Sequence, residues 1–167
     1  MRASKNSLSP TIQMGSSGFT LIELMVTIAV LAIIVGIAAP SISTQLANQR
    51  VKATANTLAN ALKEAKVESI LRRQNIELAY DPPTSKTIKL KVGSTEISSY
   101  KINDKSKVTR VITPATESKV IFQPNKKIAK NVTVVYTICD EGSKSVAPKQ
   151  VSLTSIANIN TTNAGSC

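Results

Sequence analysis

Residues 19–39 read FTLIELMVTIAVLAIIVGIAA, a stretch in which only Thr20, Glu23 and Thr27 are polar. A helix rises about 1.5 Å per residue, so about 20 such residues cross a hydrocarbon layer of about 30 Å. The stretch is longer than the apolar region of an ordinary secretory signal, which runs to about 7–15 residues. Before it, residues 1–18 read MRASKNSLSPTIQMGSSG, a polar leader with Arg2 and Lys5 and no acid. Positive charge holds that end in the cytoplasm, so the chain beyond Ala39 is expected across the membrane.

Hydropathy alone reads this segment as a signal anchor. Glu23 argues for more than an anchor, because an ionised carboxylate inside an apolar span costs on the order of 2–3 kcal/mol or more. Such a group calls for a cationic partner. If the chain were cut after Gly18, Phe19 would gain a free α-amino group four residues before Glu23. The carboxylate would then neutralise a buried amine on its own chain or on a neighbouring copy.

These residues resemble a known family signature. Gly18-Phe19-Thr20-Leu21-Ile22-Glu23, followed by an unbroken apolar helix with Pro40 at its far end, is similar to the class III signal of type IV prepilins. The resemblance implies cleavage between Gly18 and Phe19 by prepilin peptidase, N-methylation of Phe19, and pairing of Glu23 with a neighbouring subunit's N-terminus during assembly. It also implies that Pro40 bends the helix. A proline inside a helix removes one backbone hydrogen bond and kinks it, so the bend is expected near the membrane surface.

Beyond Pro40 the apolar pattern narrows to one side. Ala47, Val51, Ala55, Leu58, Leu62 and Ala65 recur at steps of three and four, while Lys52, Lys63, Lys66 and Arg72 avoid that stripe. Glu68 precedes Arg72 by four residues, the favourable order for a pair on a helix face. One helix from about Phe19 to about Arg73 is expected, roughly 80 Å long, its first half in lipid and its second half packed on a sheet. From Asn75 the period becomes two, with short strands around 76–80, 88–92, 97–102, 108–112, 120–122, 132–138 and 151–153, broken by Asp81-Pro82-Pro83 and by a turn at Gly93-Ser94. Strands with one polar face suit antiparallel sheet packed on a helix. The fold class is therefore α+β, a pilin-like long N-terminal helix on a mostly antiparallel head. The divisions are a leader at 1–18, a hydrophobic transmembrane and assembly helix at 19–45, and a head at 46–167.

The head's KEAKVESILRRQNIEL at 63–78, IFQP at 121–124 and VTVVYTICD at 132–140 resemble the GspH/FimT family of minor pilins and pseudopilins. That resemblance implies a subunit of a type IV pilus, structural and assembly-initiating, near the filament tip. Its partners would be prepilin peptidase, the major pilin, other minor pilins and, before assembly, inner-membrane lipid. Its head would lie in the periplasm and then in the pilus. The alternatives within the family are a type II secretion pseudopilin and a DNA-binding minor pilin serving transformation.

Composition narrows the chemistry. The 167 residues contain no His and two Cys. Imidazole bases, Ser–His–Asp and Cys–His pairs and HExxH sites are thereby absent, and two thiolates do not make a four-ligand zinc cage. No enzyme activity, cofactor or metal is expected. Cys139 and Cys167 are expected to form a disulfide, because the exported side of the membrane is oxidising. Closing that loop is worth about 3 kcal/mol and would tie down a Thr/Asn/Gly-rich tail that otherwise should fray. FimU-type members of the family carry a comparable staple.

The net charge of +11 is unevenly placed: residues 86–130 hold eleven basic side chains and three acids. Lys89 and Lys91 share one face of a strand, and Lys126, Lys127 and Lys130 follow on a loop, a set of candidate weak DNA contacts. Ten of the eleven are Lys, and aromatic platforms are few, so bidentate forks and base stacking are largely missing. Family members that bind DNA resemble one another in a Gly-Arg motif near the C-terminus, where this chain reads Ser155-Ile156-Ala157-Asn158. Glu117, Asp140 and Glu141 form no acid–base pair and are expected on the surface and in turns.

Overall fold

The computed structural model describes residues 18–143 and 145–167, except for the side chains of residues 38–41. The leader up to Ser17 lies outside the described residues. The chain divides into two compact units, one ending at Ala39 and the other beginning at Pro40. Helix α1 runs Leu21–Arg72, close to the limits that the sequence predicts. The bend expected at Pro40 falls on residues 38–41, whose side chains lie outside the description.

In the first unit α1 is apolar apart from Glu23 and Thr27, and none of the described residues covers it. Twelve large apolar side chains between Leu21 and Ile37 are each 50–76% exposed. The segment is long and apolar enough to cross a membrane. The second unit turns the same kind of helix into one wall of a core. Every residue of the predicted stripe, Ala47, Val51, Ala55, Leu58, Leu62 and Ala65, is at most 1% exposed. Alanine at three of these six positions lets the sheets approach the helix backbone closely.

The strands are β1 (Ile76–Ala79), β2 (Thr87–Val92), β3 (Thr95–Lys101), β4 (Ser106–Thr113), β5 (Val120–Phe122), β6 (Thr133–Asp140), β7 (Lys149–Leu153) and β8 (Ile159–Asn163). They form two four-stranded antiparallel sheets, ordered β3-β2-β1-β5 and β4-β6-β7-β8. β2 and β3 are joined through Gly93 and Ser94, with Gly93 at φ +59°, a left-handed conformation that costs glycine nothing sterically. Both sheets turn alternate residues inward: Ile76, Leu78, Ile88, Leu90, Val120 and Phe122 from the first, Val108, Val134, Tyr136, Ile138, Val151 and Leu153 from the second. These join the helix stripe in one core.

Two features go beyond the expected fold. The strands pair as two sheets, because β4 turns away from β3 to pair along its whole length with β6. The tail after Leu153, which the disulfide is expected to tie down, also forms a strand: β8 pairs with β7 over five residues, and the amide of Ala164 continues the ladder to the Pro148 carbonyl at 2.9 Å. β8 reads INTTN, with a single apolar residue, so it lacks the alternation that marks a strand in sequence. The expected disulfide is present, joining Cys139 in β6 to Cys167 with a Cα–Cα distance of 5.9 Å. It fastens the end of an edge strand that otherwise has one neighbour.

Polar groups hold the helix to the sheets. Arg50 donates from Nε to Asp140 Oδ2 at 2.7 Å and from Nη2 to Oδ1 at 3.0 Å, a bidentate clamp from α1 to the end of β6. Asp140 is thus not a surface residue, since its side chain is fully buried. The hydrogen bond from Arg50 holds its carboxyl below the usual aspartate range, with a smaller contribution from the Gly142 amide. Thr54 and Ser106, both buried, share a hydroxyl hydrogen bond of 2.8 Å between α1 and β4. Glu64 accepts from Ser98 at 2.6 Å and from the Tyr100 hydroxyl, joining α1 to β3. Glu68 and Arg72 form the pair that their spacing predicts.

Replacing both Cys139 and Cys167 by Ser is expected to lower unfolding stability by about 3 kcal/mol, measured by denaturant melts. Hydrogen exchange should rise in β8 far more than in β6; equal protection of both strands would show that the staple does not hold the edge. Asp140 titrates lower in the fold than in the unfolded chain. Its stabilisation is therefore complete above about pH 4 and lost as pH falls through the lowered folded value. Asp140→Asn should be less stable at neutral pH and lose part of the acid dependence, as followed by melting temperature between pH 2 and 6.

Candidate processing and assembly site

The start of α1 is built by Thr20. Its hydroxyl accepts a hydrogen bond from the Glu23 amide at 3.2 Å, and its carbonyl accepts from the Leu24 amide at 3.2 Å. Thr20 is thus the N-cap, and Thr-x-x-Glu is the capping-box pattern that satisfies amide donors otherwise left open at a helix start. The Thr-x-x-Glu spacing ahead of an apolar run is the sequence signal that marks Thr20 as this cap. Further along, the Thr27 hydroxyl donates to the Leu24 carbonyl at 2.8 Å, so this polar group is also satisfied within the helix.

Glu23 lies in the first turn of α1. There the aligned peptide dipoles favour a negative charge. Its side chain is exposed, and its carboxylate has no hydrogen bond or ion pair among the described residues. Phe19 is 81% exposed and stands four residues earlier. Among the described residues, nothing lies within 4 Å of where a Cβ would sit on Gly18. The arrangement is an open Gly18–Phe19 peptide, an uncovered apolar helix, and one acid near its beginning.

The lysines considered for DNA contact do not form one surface of free charge. Lys89 pairs with Glu96 at 2.8 Å, and that bond holds the Glu96 carboxyl below its usual value. Lys130 donates to both oxygens of Glu117 at 2.9 Å. Lys91, Lys126 and Lys127 have no ion-pair partner among the described residues. A cleft of about 410 Å³ brings Lys89, Lys119 and Arg110 together, but Lys119 is held by Glu77 at 3.3 Å and Arg110 by Asp81 at 3.3 Å. Phosphates would have to displace these carboxylates to gain those cations.

The model of the prokaryotic N-terminal methylation motif matches residues 13–39, the segment that contains Gly18, Phe19 and Glu23. The fold is that of type IV minor pilins and minor pseudopilins. The type IV minor pilin FimU of Pseudomonas aeruginosa superposes with a TM-score of 0.60 at 14% identity, covering 71% of this chain and 96% of that one. The minor pseudopilin EpsH of the Vibrio cholerae type 2 secretion system superposes with a TM-score of 0.55 at 9% identity, covering 70% and 98%. A search of curated proteins by sequence found no match.

Proposed function

We propose that this chain is a minor pilin of the GspH/FimT type, a structural and assembly-initiating subunit near the tip of a type IV pilus. The observation that carries this reading is the methylation motif lying over a helix whose apolar surface is uncovered on every side. Residues 1–18 act as a leader that prepilin peptidase removes, Phe19 becomes the methylated N-terminus, residues 19–45 form the membrane and assembly helix, and residues 46–167 form the head. Before assembly the helix is solvated by inner-membrane lipid with the head in the periplasm. In the filament the same surface packs against the helices of the major pilin and other minor pilins. Glu23 then pairs with a neighbour's N-terminal amine, because an anion in an apolar bundle is tolerated when a cation neutralises it.

Likeness to both a pilin and a pseudopilin favours a second reading, a subunit of a type II secretion pseudopilus. The two differ in which machine the head's surface fits. A deletion strain that loses pili and twitching supports the first; one that keeps pili but fails to secrete supports the second. DNA uptake is the weaker alternative, since the carboxylates paired with the lysines and the absence of arginine after Arg110 both work against phosphate binding.

Glu23→Gln keeps the backbone hydrogen bond to Thr20, which belongs to the amide, and removes only the charge. Glu23→Gln and Glu23→Ala are both expected to leave the protein in the membrane fraction and to abolish its recovery in sheared filaments. Immunoblots of both fractions provide the readout. Normal incorporation of Glu23→Gln would refute the charge-pairing role.

A further inference from the structure

At the end of the head where α1 enters, three segments enclose a cleft of about 330 Å³ lined by Ser43, Leu46, Arg50, Lys105, Gly142 and Ser143. Its walls are fixed. The Glu141 amide donates to the Lys105 carbonyl at 2.8 Å, which holds the two loops side by side. The Gly142 amide donates to Asp140 Oδ1 at 2.9 Å, placing this loop on the Arg50–Asp140 clamp. An added Cβ at Gly142 would come within 3.3 Å of Asp140 Oδ1 and 3.8 Å of Arg50 Nη2, so the close approach favours glycine.

The charge around this cleft is unbalanced. Asp140 is engaged by Arg50, Glu141 by Lys86 at 3.5 Å, and Asp104 by Lys101 at 3.3 Å. Lys105 and Lys107 are exposed and have no ion-pair partner among the described residues. Beside the cations, Ile42 and Leu46 are each 54% exposed on the same helix, one turn apart. A cationic pocket with an adjoining apolar shoulder matches a molecule that carries a phosphate on an acyl body.

The position of the cleft selects the source of that phosphate. Ser43 is four residues beyond Ala39, and four residues of any conformation reach at most about 14 Å. If residues 19–39 span the bilayer, as the proposed function holds, the cleft lies within reach of the headgroup layer. We propose that this cleft binds the headgroup of an anionic phospholipid, with Lys105 as its principal contact and Ile42 and Leu46 against the start of the acyl chains. Bound there, a lipid would hold the head on the membrane surface until the subunit enters a filament.

A lysine near an anionic bilayer strengthens binding by about fivefold. The test uses the full chain in neutral detergent micelles doped with equal amounts of dioleoyl-phosphatidylglycerol and dioleoyl-phosphatidylcholine, read by native mass spectrometry. A single-lipid adduct enriched about fivefold in phosphatidylglycerol is expected. Lys105→Gln should bring it to parity, while Lys105→Arg and Lys126→Gln keep the enrichment. Parity in the unaltered chain, or enrichment that survives Lys105→Gln, would overturn the proposal. Displacement of the lipid by inorganic phosphate would reduce the cleft to a simple anion site and overturn it equally. Failure of the chain to float with phosphatidylcholine vesicles is a separate outcome that removes the membrane-spanning reading and the cleft's role with it.

Discussion

The apolar surface of α1 between Leu21 and Ile37 is the constraint on which the rest of the molecule depends. Burying one large aliphatic side chain is worth about 1.5–3 kcal/mol, so twelve of them represent on the order of 20–30 kcal/mol that water cannot provide. The cost of Glu23, a few kcal/mol, is small beside this. The acid therefore does not prevent the helix from entering lipid or a bundle of like helices. It instead makes some environments better than others. Lipid offers it no partner, whereas a bundle that brings an amine close does. The capping by Thr20 is independent of that choice, since it uses the amide and leaves the carboxylate to interact elsewhere.

The second unit solves a different problem with the same element. Its helix needs two sheets to cover it, and small residues at Ala47, Ala55, Ala61 and Ala65 allow close contact. The two sheets share no strand; α1 packs on both, and Arg110 of β4 also joins them by donating to the Tyr80 carbonyl just after β1 at 2.8 Å. The hydrogen bonds follow this division: Glu64 reaches β3 of the first sheet, Thr54 and Arg50 reach β4 and β6 of the second, and Ser69 donates to the Gln123 carbonyl after β5. Lys66, which lies off the apolar stripe, donates to the Ala157 carbonyl at 2.8 Å and supports the left-handed residue in the turn before β8. The helix thus fixes loops as well as burying strands.

What the sequence made legible was whatever rests on local periodicity. The 3.6-residue stripe identified six buried residues of α1, while Thr54, Ala59, Ala61 and Ser69, buried beside them, lay outside it. The alternation in 132–138 identified β6, and two cysteines on a chain read as exported pointed to the disulfide. Long-range facts were not legible. Arg50 and Asp140 lie 90 residues apart, and nothing near either announces the other. β8 escaped because its stability comes from ladder hydrogen bonds to β7 and from Cys167, neither of which leaves an apolar pattern. The division into two sheets escaped because register and pairing depend on which strands the helix brings together. At the candidate site Gly18, Phe19 and Glu23 were read directly, while Thr20 was overlooked because a capping residue looks like any other polar interruption in an apolar run.

The basic character of the head shows why a charge count alone identifies no partner. Residues 86–130 carry an excess of eight positive charges, yet Lys86, Lys89, Lys101, Arg110, Lys119 and Lys130 each face a carboxylate. Exposed pairs of this kind contribute little to stability, about 0–1 kcal/mol each. They still change the field that an approaching anion meets, because each lysine arrives already partly neutralised. What acts on a partner is the unpaired remainder: Lys126 and Lys127 on one loop, Lys91 on β2, and Lys105 and Lys107 near the beginning of β4. These stand singly or in twos along the chain. At Lys105, however, the free charge adjoins a formed cleft and an apolar shoulder, and there a local interaction replaces a diffuse one.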